Sequence, residues 1–158
     1  MEERMKTFQE FLFESDKGQR TSMKEFEKLV QKFLPYVFKE LKIKSIPQMH
    51  FANGKSGLSV KDVPGITIVK DSEFSASKGT FAQTSKNNRI VLNVENRHPI
   101  DALRTLAHEL VHYHQHTSGV YGTGETGSKT ENEASAKASV IMRNFDYSHP
   151  DVFKLPPL

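Results

Sequence analysis

Apolar positions recur along the chain with two different periods, and the change of period divides it into stretches. Met5, Phe8, Phe11 and Leu12 stand at helical spacing and predict a short amphipathic helix over 5–13, ended by Asp16-Lys17-Gly18-Gln19. Phe26, Leu29, Val30, Phe33, Leu34, Val37 and Leu41 form a second stripe. Ser22-x-x-Glu25 has the form of a capping box and opens that helix, while Pro35 is expected to kink it or split it in two. Stripes of this kind face a core more often than a partner. Residues 1–44 are therefore expected to be a helical segment packed on the rest, with a protein partner for these helices as the alternative.

From Ile43 to Asn96 short β-rich runs replace the helical pattern. Ile46 to Phe51, Ile66 to Val69, Thr80 to Gln83 and Arg89 to Val94 are the strand candidates, with turns at Asn53-Gly54, Pro64-Gly65 and Lys86-Asn87-Asn88. They predict a small, mainly antiparallel sheet in which the last two runs pair as a hairpin. After His98-Pro99 the helical period returns: Leu103, Leu106, Ala107, Leu110 and Val111 share one face of a helix capped by Asp101 or Asn96 and running to about His116. A Gly/Thr/Ser loop follows over 118–129. Ala134, Ala138, Ile141 and Phe145 predict a last helix over 130–145, and the proline-bearing segment 149–158 is expected to be an extended arm. The pattern is that of an α+β domain over 45–148, flanked by the N-terminal helices and this tail.

Composition narrows the chemistry. One domain suits 158 residues, and the balance of 36% hydrophobic to 26% charged residues is that of a globular protein. No run approaches the roughly 18 to 20 apolar residues of a membrane span, and the opening Met1-Glu2-Glu3-Arg4 lacks the apolar stretch of a signal peptide. A cytoplasmic location is expected, with no membrane partner. The net charge of +3 is spread over 22 basic and 19 acidic residues without a basic block, so nothing signals nucleic-acid binding. With no cysteine, a metal would have to be held by His, Asp or Glu.

Such residues gather at His108-Glu109-Leu110-Val111-His112. On a helix, residues i and i+4 stand one turn apart on one face, so two imidazoles can reach a single tetrahedral zinc. Glu109, on the same turn, is close enough to take a proton from metal-activated water without being a ligand. In a chain with 7 His the motif arises by chance about 0.02 to 0.03 times, so it calls for a third ligand as support. The extension with a further glycine and histidine fails, because Gln115 and Ser118 occupy those places. A carboxylate on the last helix is the other solution, and Glu131 and Glu133 both qualify. Glu133 is preferred, because the small residues of Ala134-Ser135-Ala136 let the two helices approach; a carboxylate at Glu131 is already explained by the helix dipole.

His108 to His112, followed by Asn132-Glu133-Ala134, resembles the gluzincin branch of the zincin metallopeptidases. The flanks, Thr105-Leu106-Ala107 and the upstream Ile90-Val91-Leu92-Asn93, resemble compact SprT-like and other minimal zincins. The resemblance covers 80–145 and implies one zinc ion held by His108, His112 and Glu133, with Glu109 as general base. It also implies a strand edge, at 80–83 or 89–94, along which an extended peptide would lie. Two features depart from it. Lys137 stands where many gluzincins have an acid that orients a motif histidine, leaving Asp101 or a backbone carbonyl for that task. The oxyanion-stabilising residue has no clear match; Tyr121, in the loop between the ligand helices, is placed first, ahead of His114, His116, Tyr147 and His149. The segment 5–12 also resembles the openings of many small bacteriophage proteins.

The expected function is zinc-dependent peptide hydrolysis. Two alternatives stand beside it: a zincin-fold interaction protein with little or no turnover, such as a phage virion or host-interaction component, and a DNA-associated SprT-like protease.

Overall fold

The computed structural model describes residues 19–53, 65–70, 82–84, 90–119 and 128–158. The helix expected over Met5–Phe13 lies outside them.

Helix α1 spans Met23–Leu41. Ser22 caps it, its hydroxyl accepting from the Glu25 amide at 3.1 Å and donating to the Glu25 carboxylate at 3.1 Å. The predicted stripe is buried: Phe26, Phe33 and Val37 are fully enclosed. Pro35 does not split the helix, which runs unbroken through it. It lies on the exposed face, where water can solvate the carbonyl that lacks a partner, so the cost of the missing N–H is smallest there. Lys42, in the left-handed conformation at φ 55°, closes the helix.

Strands β1 (Met49–Asn53), β2 (Ile66–Lys70), β3 (Ala82–Thr84) and β4 (Ile90–Asn93) form one sheet in the order β1-β2-β4-β3. β1, β2 and β4 run parallel, and only β3 pairs antiparallel with β4. The hairpin expectation holds for β3 and β4; the mainly antiparallel sheet does not. Two physical facts explain the correction. Asn53 and Ile66 are separated by a link long enough for a crossover, which needs about a dozen residues, so the turn signals at its ends mark strand termini rather than a reversal. Ile66 to Val69 are buried without alternation, the pattern of a parallel strand covered on both faces. Gly65, at φ 101°, makes the entry to β2 possible, since a Cβ there would meet the Gln48 carbonyl oxygen at 2.5 Å.

Helix α2 spans Pro99–Thr117 and α3 spans Lys129–Ser148. The cap of α2 is His98 rather than Asp101 or Asn96: its Nδ1 accepts from the Ile100 amide at 3.0 Å, with Pro99 in the first turn. Asp101 pairs instead with Arg97, 2.7 Å away. Small side chains, Ala134 and Ala138, lie buried on α3, while its later turns wedge Phe145 edge-on against Phe33 at 5.2 Å. Burying an aromatic ring of this kind stabilises by about 1.5–3 kcal/mol. Near the end of α3, burial pushes the Asp146 carboxyl above the usual carboxylate range, against the pull of the Arg104 guanidinium.

The tail is not simply an extended arm. Pro150–Lys154 form a short 3-10 helix, and the segment after it is pinned by hydrogen bonds from the Leu158 amide to the Arg97 carbonyl and from the Thr21 amide to the Pro157 carbonyl. Val152 and Leu158 are buried, and this apolar burial outweighs the extended preference of the prolines. Among the described residues no helix is long and apolar enough to cross a membrane.

Candidate metal centre

The third and fourth turns of α2 carry His108 and His112 on one side, their rings 4.7 Å apart between centroids and tilted by 79°. Their Nε2 atoms stand 3.1 Å from each other. The first turn of α3 brings Glu131 to this pair: one carboxylate oxygen lies 2.8 Å from His108 Nε2 and the other 2.9 Å from His112 Nε2. Among the described residues these three side chains form the group able to hold a metal.

Glu133, the carboxylate preferred from sequence, is not in that group; Glu131 takes its place beside the histidines. Two residues along a helix turn through about 200°, so Glu131 and Glu133 leave α3 in different directions. Glu131 precedes the buried Ala134 and Ala138 by three and seven residues and shares their face, while Glu133 reaches Gln115 of α2 and not the histidines. Glu133 is 43% exposed, 3.8 Å from Lys137 and 3.2 Å from Gln115. The signal was in the sequence: the stripe Ala134, Ala138, Ile141 and Phe145, continued backwards, arrives at Glu131. Its position near the helix start, which explained the acid as a dipole partner, is compatible with ligation as well; Ser128 caps α3 through the Glu131 amide, leaving the carboxylate to face the histidines.

The chemistry of the donors suits a cation. Gln115, 4% exposed, donates its amide hydrogens to the Thr130 carbonyl at 3.0 Å and to the Glu133 carboxylate at 3.2 Å. Both of those atoms are acceptors only, so the amide oxygen faces the other way, toward His112 Nδ1 at 2.8 Å. Nδ1 therefore carries a hydrogen, and in the neutral ring His112 Nε2 presents a lone pair to the Glu131 carboxylate 2.9 Å away. Positive charge holds such a contact together, supplied by a metal ion or by a second proton on the ring. The triangle of 2.8, 2.9 and 3.1 Å is slightly smaller than the edges, about 3.3 Å, of a tetrahedron with zinc bonds of roughly 2.0–2.1 Å. The residues present fit a zinc ion.

Glu109 follows His108 directly and is 9% exposed, on the same helical turn as the two histidines. The other residues named from sequence fall differently. Tyr121 lies outside the described residues. His114 and His116 are half-buried near the end of α2. Tyr147 is 91% exposed, and the His149 ring stacks on Phe145 at 4.5 Å, so both belong to the end of α3 remote from Glu131. His112 Nδ1 contacts Gln115 at 2.8 Å, whereas Asp101 is engaged with Arg97 more than a turn before His108. In the sequence Gln115 stands out only as the residue in place of a metzincin-type glycine.

Comparison with known families brings one match. The model of Peptidase_M78, IrrE N-terminal-like domain, matches residues 62–143, slightly more than half of the chain. That span includes His108, Glu109, His112 and Glu131. Neither the curated proteins nor the solved structures give a match.

Proposed function

The chain belongs to the Peptidase_M78, IrrE N-terminal-like family, a family of zincin-like metallopeptidases, and from that premise we propose that it hydrolyses peptide bonds at one zinc ion held by His108, His112 and Glu131. The observation that carries this reading is the convergence of the two Nε2 atoms and the Glu131 carboxylate, all within 4.8 Å of one another. Two histidines and one carboxylate are a ligand set of catalytic zinc, which leaves a coordination position for water.

Zinc in that site supplies Lewis acidity, lowering the pKa of a water toward about 7 and polarising a carbonyl. The protein's own groups do the rest. Glu109 accepts a proton from the attacking water and returns it to the leaving amine, a role that asks for a carboxylate within one hydrogen bond of the water and outside the ligand set. Its low exposure keeps bulk water from competing for that proton. Ala134 and Ala138 let α3 lie close to α2, so that a short acidic side chain spans the gap to the histidines. β3, the last strand of the described sheet and a neighbour of α2, offers its outer backbone edge to an extended peptide. The substrate is accordingly an unstructured segment of a protein or a peptide.

Zinc analysis of the purified protein, together with cleavage of an unstructured polypeptide in the presence and absence of a chelator, tests the proposal. Stoichiometric zinc with chelator-sensitive cleavage supports it. Zinc without cleavage favours a zincin-fold interaction protein instead.

A further inference from the structure

We propose that Gln115 is a positioning residue for the zinc site: its amide oxygen holds His112 in the metal-binding tautomer, and its amide nitrogen ties down the helix that presents Glu131. This rests on the zinc reading above. Gln115 is buried and stands three residues after His112, hence on the neighbouring turn of the same face of α2. From there one side chain makes contacts of 2.8 Å to His112 Nδ1, 3.0 Å to the Thr130 carbonyl and 3.2 Å to the Glu133 carboxylate. Thr130 immediately precedes Glu131 in the first turn of α3. The same amide therefore touches a ligand on one helix and the backbone beside a ligand on the other.

An amide is the group this position requires. The two acceptors on α3 demand N–H donors, and the imidazole must find an acceptor so that its Nδ1 keeps the hydrogen and its Nε2 keeps the lone pair. A carboxylate at 115 would satisfy His112 but would oppose the Thr130 carbonyl and the Glu133 carboxylate. An apolar side chain of equal length would satisfy none of them. Glu133, held in turn near Lys137, takes on a role that explains its place in the segment: it helps fix which way the Gln115 amide points.

The two functions of the amide are separable. Gln115→Met removes both; Gln115→Glu keeps the acceptor for His112 and loses the donors to α3. Zinc affinity by chelator competition, the thermal midpoint of the metal-free protein, and the imidazole proton signals of the zinc-loaded protein by NMR are measured for each. The expected result is that Gln115→Met weakens zinc binding by about 10- to 100-fold, as loss of an outer partner of a ligand histidine does, while Gln115→Glu stays within about 10-fold of wild type. The order of metal-free thermal midpoints is reversed, with Gln115→Glu the lower. The slowly exchanging His112 Nδ1–H signal persists in wild type and Gln115→Glu and is lost in Gln115→Met. Wild-type zinc affinity in Gln115→Met, or zinc affinities that simply follow the thermal midpoints, would overturn the proposal. Failure of the zinc reading looks different: wild type takes up no zinc, or His112→Ala and Glu131→Ala bind it unchanged, and this inference then falls with it.

Discussion

Glu131 lies 2.8 Å from His108 across the interface of two helices, although 23 positions separate them in the chain. The contact is set by the register of α3 against α2, which the burial of Ala134 and Ala138 fixes. A carboxylate one turn earlier on that face meets the histidines; Glu133, two residues further on, meets Gln115 instead.

This geometry separates two acidic neighbours. Glu131→Ala is expected to lower zinc affinity by more than the roughly 10- to 100-fold typical of a lost outer partner, whereas Glu133→Ala is expected to stay within that range. Chelator competition on both variants decides the matter, and loss of zinc in Glu133→Ala with retention in Glu131→Ala would reverse the assignment.

Close helix approach makes a second expectation. Ala134 is fully buried, so Ala134→Leu forces α3 away from α2 or forces side chains off their rotamers, at a cost of about 1–3 kcal/mol. Because Glu131 sits one turn before it, zinc affinity is expected to fall alongside the thermal midpoint. A variant with an unchanged midpoint and full zinc affinity would show that the small residue is not what positions the ligand helix.

What could be read from sequence follows from the range of the interactions involved. The stripe of α1, its Ser22 cap and the pair His108 and His112 are set by neighbours within a few residues, and each was legible. Strand direction was not, because whether β1 and β2 run parallel depends on the route between them and on what covers β2, and the buried run Ile66 to Val69 was the only local trace. The tail failed for a related reason: its prolines speak for extension locally, while burial of Val152 and Leu158 against distant residues decides. Glu131 is the instructive case. An acid at a helix start is favoured by the dipole alone, and that local advantage is compatible with the tertiary contact Glu131 makes to the two histidines. Gln115 gave no sequence signal, since its function consists of three partners, two of them on another helix.

Asp146 provides a test by pH. Burial raises its folded-state pKa above the ordinary value, so the folded protein holds this proton more firmly than the unfolded chain does, and the carboxylate's contribution to stability declines as pH rises through the carboxylate range. At neutral pH the charged form is held at a cost. Asp146→Asn is therefore expected to raise the thermal midpoint of the metal-free protein at pH 7, with the gain shrinking toward pH 4 as the wild-type group takes up its proton. A variant less stable than wild type at pH 7 would mean that attraction to Arg104 outweighs burial.

The general-base role of Glu109 bears on whether the site is an enzyme. The most direct measurement is the rate at which zinc-loaded wild type and Glu109→Gln cleave an unstructured polypeptide, with zinc content determined on the same samples. Chelator-sensitive cleavage by wild type, reduced by about 10²- to 10⁴-fold in a variant that keeps its full zinc, is the predicted result. No cleavage by zinc-loaded wild type, or equal cleavage by Glu109→Gln, would contradict it.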